Sequence, residues 1–305
     1  MKTFSLVIGL ILSICSTSNG EDIFTPKEVI ALGVTQGITE FLPVSSTAHL
    51  ILVDKFMLDG GMAKSRSEAD TEDTKSRAKN SYFSLIQFGS IAAILCLYRK
   101  RFTSIGMGML GRDSRGRRLI CNLLISFLPA AVIGLFIDGW LQKIAYNANA
   151  IAISLVIGGV IIFIAERHYG REKLTWGSSG RTIENLTSTQ SLAIGLWQCL
   201  AFIPGMSRSM TSIVGGYGCG LGRAAAAEYS FLLGVLTLTA AAGYKFTKDF
   251  NVIFAYFGIK LFCLGIFAAF IASIVAIKIF VTFIARHGML FFAPYRIILA
   301  IIIFC

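Results

Sequence analysis

The sequence predicts an all-α membrane protein with about six spanning helices plus two opposed re-entrant or broken helix pairs in an inverted-topology repeat. Three observations lead there. Hydrophobic residues make up 55% of the 305-residue chain and charged residues only 15%, where a soluble domain carries about a quarter. Continuous apolar stretches recur at about residues 82–98, 119–141, 150–165, 225–243, 251–285 and 289–305, most of them near the roughly 20 residues that cross a bilayer. Two more, about 28–58 and 189–222, are apolar at their ends but broken by polar, Pro-containing centres, which a membrane tolerates only where the irregular backbone faces protein or a watery cavity. So few charges argue against a soluble enzyme, a disordered chain or a nucleic-acid-binding domain. The bilayer is the first partner, and no nucleic acid is expected.

Taken in order, Lys2, the apolar run FSLVIGLILSIC and the small, polar STSNG have the layout of a secretory signal peptide or N-terminal anchor over residues 1–20. Residues 21–305 read as one integral membrane domain, with a polar external loop at 54–80. Arg99, Lys100, Arg101, Arg112, Arg115, Arg117 and Arg118 crowd the next loop against one acid, Asp113, which places it in the cytoplasm. The loop with Asp138 and Lys143 has no such bias; the one after it, with Arg167, Arg171, Lys173 and Arg181, is cytoplasmic again. The net charge of +11 is therefore a topology signal. On this alternation the first broken segment enters from outside and the second from inside, as in inverted repeats built around a site at the membrane midplane. Lys260 and Lys278, 18 residues or roughly 27 Å apart on one stretch, are expected to snorkel to opposite interfaces. The seven cysteines are scattered singly and read as packing residues.

The first break reads GVTQGITEFLPVSSTAHLIL. Gln36 and Glu40, four apart, share a helix face, and an acid inside an apolar segment is costly and functional by default. Pro43 ends that helix, and Ser45, Ser46 and Thr47 are N-cap residues for a second one, whose free amides and positive dipole end make an anion site. His49, three residues after Ser46, puts a potential base near a potential nucleophile. The second break, GLWQCLAFIPGMSRSMTSIVGG, repeats the plan: Gln198, Pro204, then Ser207 and Ser209. The spacing from Gln to Pro is one residue shorter, and Arg208 adds a forked, permanently charged donor suited to phosphate oxygens. Together these residues describe a phosphate site reached by a lipid-borne substrate.

QGITEFLPVSSTAH and PGMSRS, with IQFGSIAAI at 86–94 and AAAEYSFLL at 225–233, resemble the bacterial undecaprenyl-diphosphate phosphatases of the bacitracin-resistance type, from about residue 26 to the carboxyl terminus. The resemblance implies hydrolysis of the terminal phosphate of the C55 isoprenoid diphosphate. That activity recycles the lipid carrier for peptidoglycan and other envelope polymers and gives bacitracin resistance. It also implies a divalent cation, Mg²⁺ or Ca²⁺, and an inner-membrane site open to the outer face; it allows a homodimer. Carried over by position, Ser46 is the nucleophile, His49 its acid/base partner, Glu40 the second acid and Arg208 the phosphate clamp. Ser45, Thr47, Gly205, Ser207 and Ser209 line the phosphate site, and Glu40 and Gln36 hold the metal. Gln36 stands where many members carry Glu, which removes one negative charge from that metal site. Met210, Leu236 and the long 54–80 loop are further departures.

The chemistry expected is attack by Ser46 on the terminal phosphorus with His49 taking its proton; His49 activating water, or itself becoming phosphorylated, is the alternative. A lipid-phosphate flippase could use the same opposed breaks without cleaving a bond, although transport needs neither nucleophile nor base.

Overall fold

The structure, a computed structural model, describes residues 25–57, 72–144, 147–169 and 182–304. The expected signal or anchor segment and the centre of the 54–80 loop lie outside these residues; the described ends of that loop are helical. The helices run α1 Pro26–Thr39, α2 Ser46–Met57, α3 Glu72–Leu85, α4 Gln87–Leu97, α5 Arg99–Met109, α6 Ser114–Ile144, α7 Ala148–Tyr169, α8 Ser188–Cys199, α9 Arg208–Gly218, α10 Arg223–His287 and α11 Phe292–Phe304.

Five stretches among them are long and apolar enough to cross a membrane: Arg77–Leu97, Ser114–Ile137, Ala148–Tyr169, Arg223–Asn251 and Gly258–His287. The last two are the halves of α10, separated where Asp249 and Gly258 leave helical geometry. The expected sixth span is the 13-residue α11, too short to cross by itself and set off from α10 at Gly288, whose φ is +71°. Large apolar side chains face outward along the spans, Leu135 and Phe136 at 80% and 84% exposure and Ile279 at 65%. A surface this apolar is stable only against lipid, and the chain is a multi-pass membrane protein. Lys260 and Lys278 are both exposed.

The two broken segments are built alike. Thr25 and Glu28 form a capping box at the start of α1, and Thr187 and Gln190 form one at the start of α8. Gly33 of α1 lies so close to the Gly258–His287 span that an added Cβ would sit 2.4 Å from the Gly265 carbonyl oxygen; Gly195 of α8 meets the Ser126 carbonyl oxygen of α6 at 2.3 Å. Ser45 and Ser207 precede the second helix of each pair with φ of +71° and +73°, a conformation that costs a non-glycine residue about 1–3 kcal/mol. Each serine hydroxyl caps the amide three residues on, Ala48 and Met210, at 3.4 Å. Every one of these pairs, Thr25 and Thr187, Gly33 and Gly195, Ser45 and Ser207, is offset by 162 residues. The register is therefore constant from helix start to helix start, and the one-residue discrepancy read from the prolines is a shift of the proline alone.

The pairs start at opposite ends of the bundle. Val29 in the first turn of α1 packs with Ala78 and Tyr82, near the cluster in which Arg77, Lys245 and Ser81 surround the buried Asp249 carboxylate. The start of α8 follows Leu186, whose carbonyl accepts from Asn122 at 2.9 Å. At that end Arg101 of the first Arg-rich loop pairs with Glu184 and, at 2.6 Å, with Glu228. The main apolar core, around Phe41, Met210, Tyr229 and Phe231, lies between the two breaks.

Candidate active site

The tips of the two broken segments meet. Leu42 precedes Pro43, and its carbonyl accepts from Ser209 Oγ at 2.7 Å and from Ser207 Oγ at 3.5 Å. Two of the four hydroxyls expected to bind phosphate, those of Ser207 and Ser209, thus join the breaks, and Ser209 is fully buried. Ser45 spends its hydroxyl on its own helix start. Gly205, at φ +89°, makes the turn before Ser207. Thr47 is half-buried beside these groups.

Glu40, 7% exposed, sits at the centre. Its Oε2 accepts from Gln36 Nε2 at 2.7 Å and from Ser46 Oγ at 2.8 Å; its Oε1 faces Arg208 Nη2 at 3.4 Å. Arg208 reaches across from the second break, donating through Nη1 to the Ser230 carbonyl at 3.0 Å and lying over the Phe41 ring at 5.8 Å. It fits because residue 234 is glycine: a Cβ there would sit 2.5 Å from Nη1. The carboxylate at the end of α1 and the guanidinium at the start of α9 hold each other where neither could lie alone in an apolar medium.

The Ser46 and His49 side chains, expected to act as a pair, are not hydrogen-bonded to each other in this structure. Their i, i+3 spacing does put both on one helix face, but each is engaged elsewhere. Ser46 Oγ donates to Glu40, whereas His49 Nδ1 lies 2.7 Å from the Ser45 carbonyl and Nε2 lies 2.6 Å from the Tyr295 hydroxyl. The carbonyl accepts only, so Nδ1 carries the proton and Nε2 accepts from Tyr295. The His49 and Tyr295 rings lie nearly parallel, 6° apart in plane.

Arg296, next to Tyr295 on α11, escaped the sequence reading. It is fully buried and donates to carbonyls of both breaks, Pro43 at 3.0 Å, Gly205 at 2.9 Å and Met206 at 3.2 Å, and to Ser154 and Leu155 of α7. Its signal was present, since an Arg inside an apolar stretch is a functional candidate by default.

For a divalent cation the donors are hard oxygens. Gln36 Oε1 is buried without a hydrogen-bond partner next to the Glu40 carboxylate. Among the described residues no group of three or more His, Cys, Asp or Glu is placed to hold a metal ion. One carboxylate and one amide oxygen completed by phosphate oxygens is the way Mg²⁺ usually binds beside a phosphorylated substrate, and the residues fit it. An apolar groove of about 720 Å³ runs along α1 and the Gly258–His287 span, past Val34 and Ile271, to Leu42 at the tip of the first break.

An undecaprenyl-diphosphatase of Methylobacillus flagellatus is 34% identical over 282 residues, 92% of this chain and 98% of its own length. Undecaprenyl-diphosphatase 2 of Shewanella oneidensis is 36% identical over 273 residues, 90% of this chain and 95% of its own. An undecaprenyl-diphosphatase of Clostridium tetani is 34% identical over 278 residues, 90% and 94% of the two chains. With both breaks and nearly every described helix falling inside the matched residues 29–302, the chain belongs to the family described as bacitracin resistance protein BacA.

Proposed function

We propose that this protein hydrolyses undecaprenyl diphosphate to the monophosphate and inorganic phosphate, returning the lipid carrier to envelope synthesis and so supporting bacitracin resistance. The observation that carries the reading is the chain from Ser46 Oγ through Glu40 to Arg208, which sets a hydroxyl, a proton acceptor and a phosphate-binding cation around one point. Ser46 attacks the terminal phosphorus and passes its proton to Glu40 Oε2; the phosphoanhydride bond breaks, and the lipid monophosphate leaves with the bridging oxygen. Water then resolves the phosphoserine: protonated Glu40 returns its proton to Ser46 Oγ as the P–O bond breaks, and the water proton is taken up by the Tyr295 hydroxyl as that hydroxyl passes its own proton to His49 Nε2. Arg208 and the start of α2 stabilise charge on the phosphoryl oxygens. Glu40 and Gln36 Oε1 would hold a divalent cation, which, when bound, supplies Lewis-acid neutralisation of that charge. The isoprenoid tail lies in the apolar groove ending at Leu42.

We place the protein in the bacterial inner membrane, with the Arg-rich end in the cytoplasm and α1 and α8 as opposed members of an inverted-topology repeat. The Lys/Arg asymmetry supports the orientation. Phosphate release from C55 diphosphate by the purified protein tests the activity. Wild-type protein should release phosphate, Ser46→Ala and Glu40→Gln should be reduced at least about 100-fold, and His49→Ala should retain lipid binding with little turnover. Wild-type protein that moves the lipid across vesicles but releases no phosphate would overturn the reading in favour of transport.

A further inference from the structure

The register of the two broken segments makes Gln198 the counterpart of Gln36, 162 residues on. The two amides have opposite fates. Gln36 delivers Nε2–H to Glu40, four residues later; four residues after Gln198 comes Phe202, which offers no acceptor. Gln198 is only 3% exposed, and neither its Nε2 nor its Oε1 has a hydrogen-bond partner. A buried amide with both ends unpaired is uncommon because desolvation is not repaid.

What faces it explains the arrangement. Gln198 lines a cavity of about 620 Å³ together with Arg208, Gln87, Thr237, Lys245 and Lys248. Arg208 commits Nη1 to the Ser230 carbonyl and holds Nη2 at 3.4 Å from Glu40, but its Nε is also buried and unpartnered. The N–H of Arg208 Nε and both N–H groups of Gln198 Nε2 are therefore unspent, on residues that line a cavity whose other basic side chains are Lys245, paired with Asp249, and Lys248. Unspent donors at a cavity whose lining holds no acid suit an anion with several oxygens.

We propose that Gln198 is a phosphate-binding residue, donating Nε2–H to a phosphoryl oxygen of the lipid diphosphate while Arg208 Nε donates to the same group. This rests on the hydrolase reading only for the identity of the diphosphate; the binding claim concerns the anion.

The test uses the full chain purified in detergent, with inorganic pyrophosphate as the soluble probe and C55 diphosphate as the substrate. Gln198→Leu keeps the volume and removes both unpaired polar ends. It should leave the thermal midpoint of the ligand-free protein unchanged or raised, while weakening pyrophosphate binding and raising KM about tenfold with a smaller change in kcat. Gln198→Glu, which turns a carboxylate toward the anion, should lose about 100-fold. A Gln198→Leu protein with wild-type pyrophosphate affinity and KM overturns the inference, and so does one whose ligand-free thermal midpoint falls clearly, since that marks a structural role. Wild-type protein that binds pyrophosphate in a Gln198-dependent manner yet releases no phosphate from the lipid supports the inference and refutes the hydrolase reading instead.

Discussion

Replacing Arg296 by Met removes the guanidinium that bridges the two breaks while keeping an apolar side chain in its place. The side chain is wholly buried and donates to five carbonyls, with three of those bonds shared by Nη2. Hydrogen bonds from a charged donor are worth about 1.5–3 kcal/mol each, but the shared bonds do not add, and burying Met avoids desolvating a cation. The net destabilisation expected is about 3–5 kcal/mol, a fall of about 10 °C in thermal midpoint for a chain of this size. Activity should suffer more than stability, because Pro43 lies three residues before Ser46 and Met206 two before Arg208. A displacement of about 1 Å between nucleophile and phosphate clamp costs about 100-fold. Thermal unfolding in detergent and phosphate-release kinetics at a temperature where the variant is folded separate the two effects: kcat should drop about 100-fold with KM changed far less. Gly158→Ala is the companion, since an added Cβ would sit 2.2 Å from Arg296 Nη2 and disturb the clamp without deleting its charge. Its kcat should fall about tenfold. An Arg296→Met protein with wild-type kcat and midpoint would refute the clamp.

Gln36→Glu restores a second carboxylate beside Glu40 and should lower the divalent-cation concentration for half-maximal phosphate release, with Glu40→Gln raising it; identical metal titrations in all three proteins would remove both residues from the metal site. Arg208→Lys keeps the charge but loses the fork shared between Ser230 and Glu40, so KM and kcat should both worsen, by about tenfold or more. Asp113 accepts from Ser104 Oγ at 2.5 Å and from the amides of Gly116 and Arg115 at the start of α6, which hold its carboxyl below the usual carboxylate range. A depressed carboxylate stabilises the fold above its unfolded pKa of about 3.9 and loses that contribution as pH falls through the lower folded value. The midpoint of Asp113→Asn should therefore depend less on pH than wild type below about pH 4, as read by thermal scans from neutral to acid pH.

The sequence by itself determined the membrane fold class, and it singled out the two broken segments with Glu40, Ser46, His49 and Arg208 as candidates. These rest on local rules: apolar runs of spanning length, a proline that ends a helix, and the cost of a polar group in an apolar run. Tertiary structure decided what those groups touch. Ser46 turns to Glu40 and His49 to Tyr295, a partner 246 positions away. Arg296 joins α11 to Pro43 across 253 positions. Gln36 and Gln198 look equivalent in sequence, yet the Nε2 of one donates to a carboxylate a turn away, whereas neither end of the other, which lines a cavity, has a partner. Helical periodicity assigns a side chain to a face, but its hydrogen bond depends on which distant backbone or side chain the packing brings within about 3 Å, and no spacing along the chain encodes that distance.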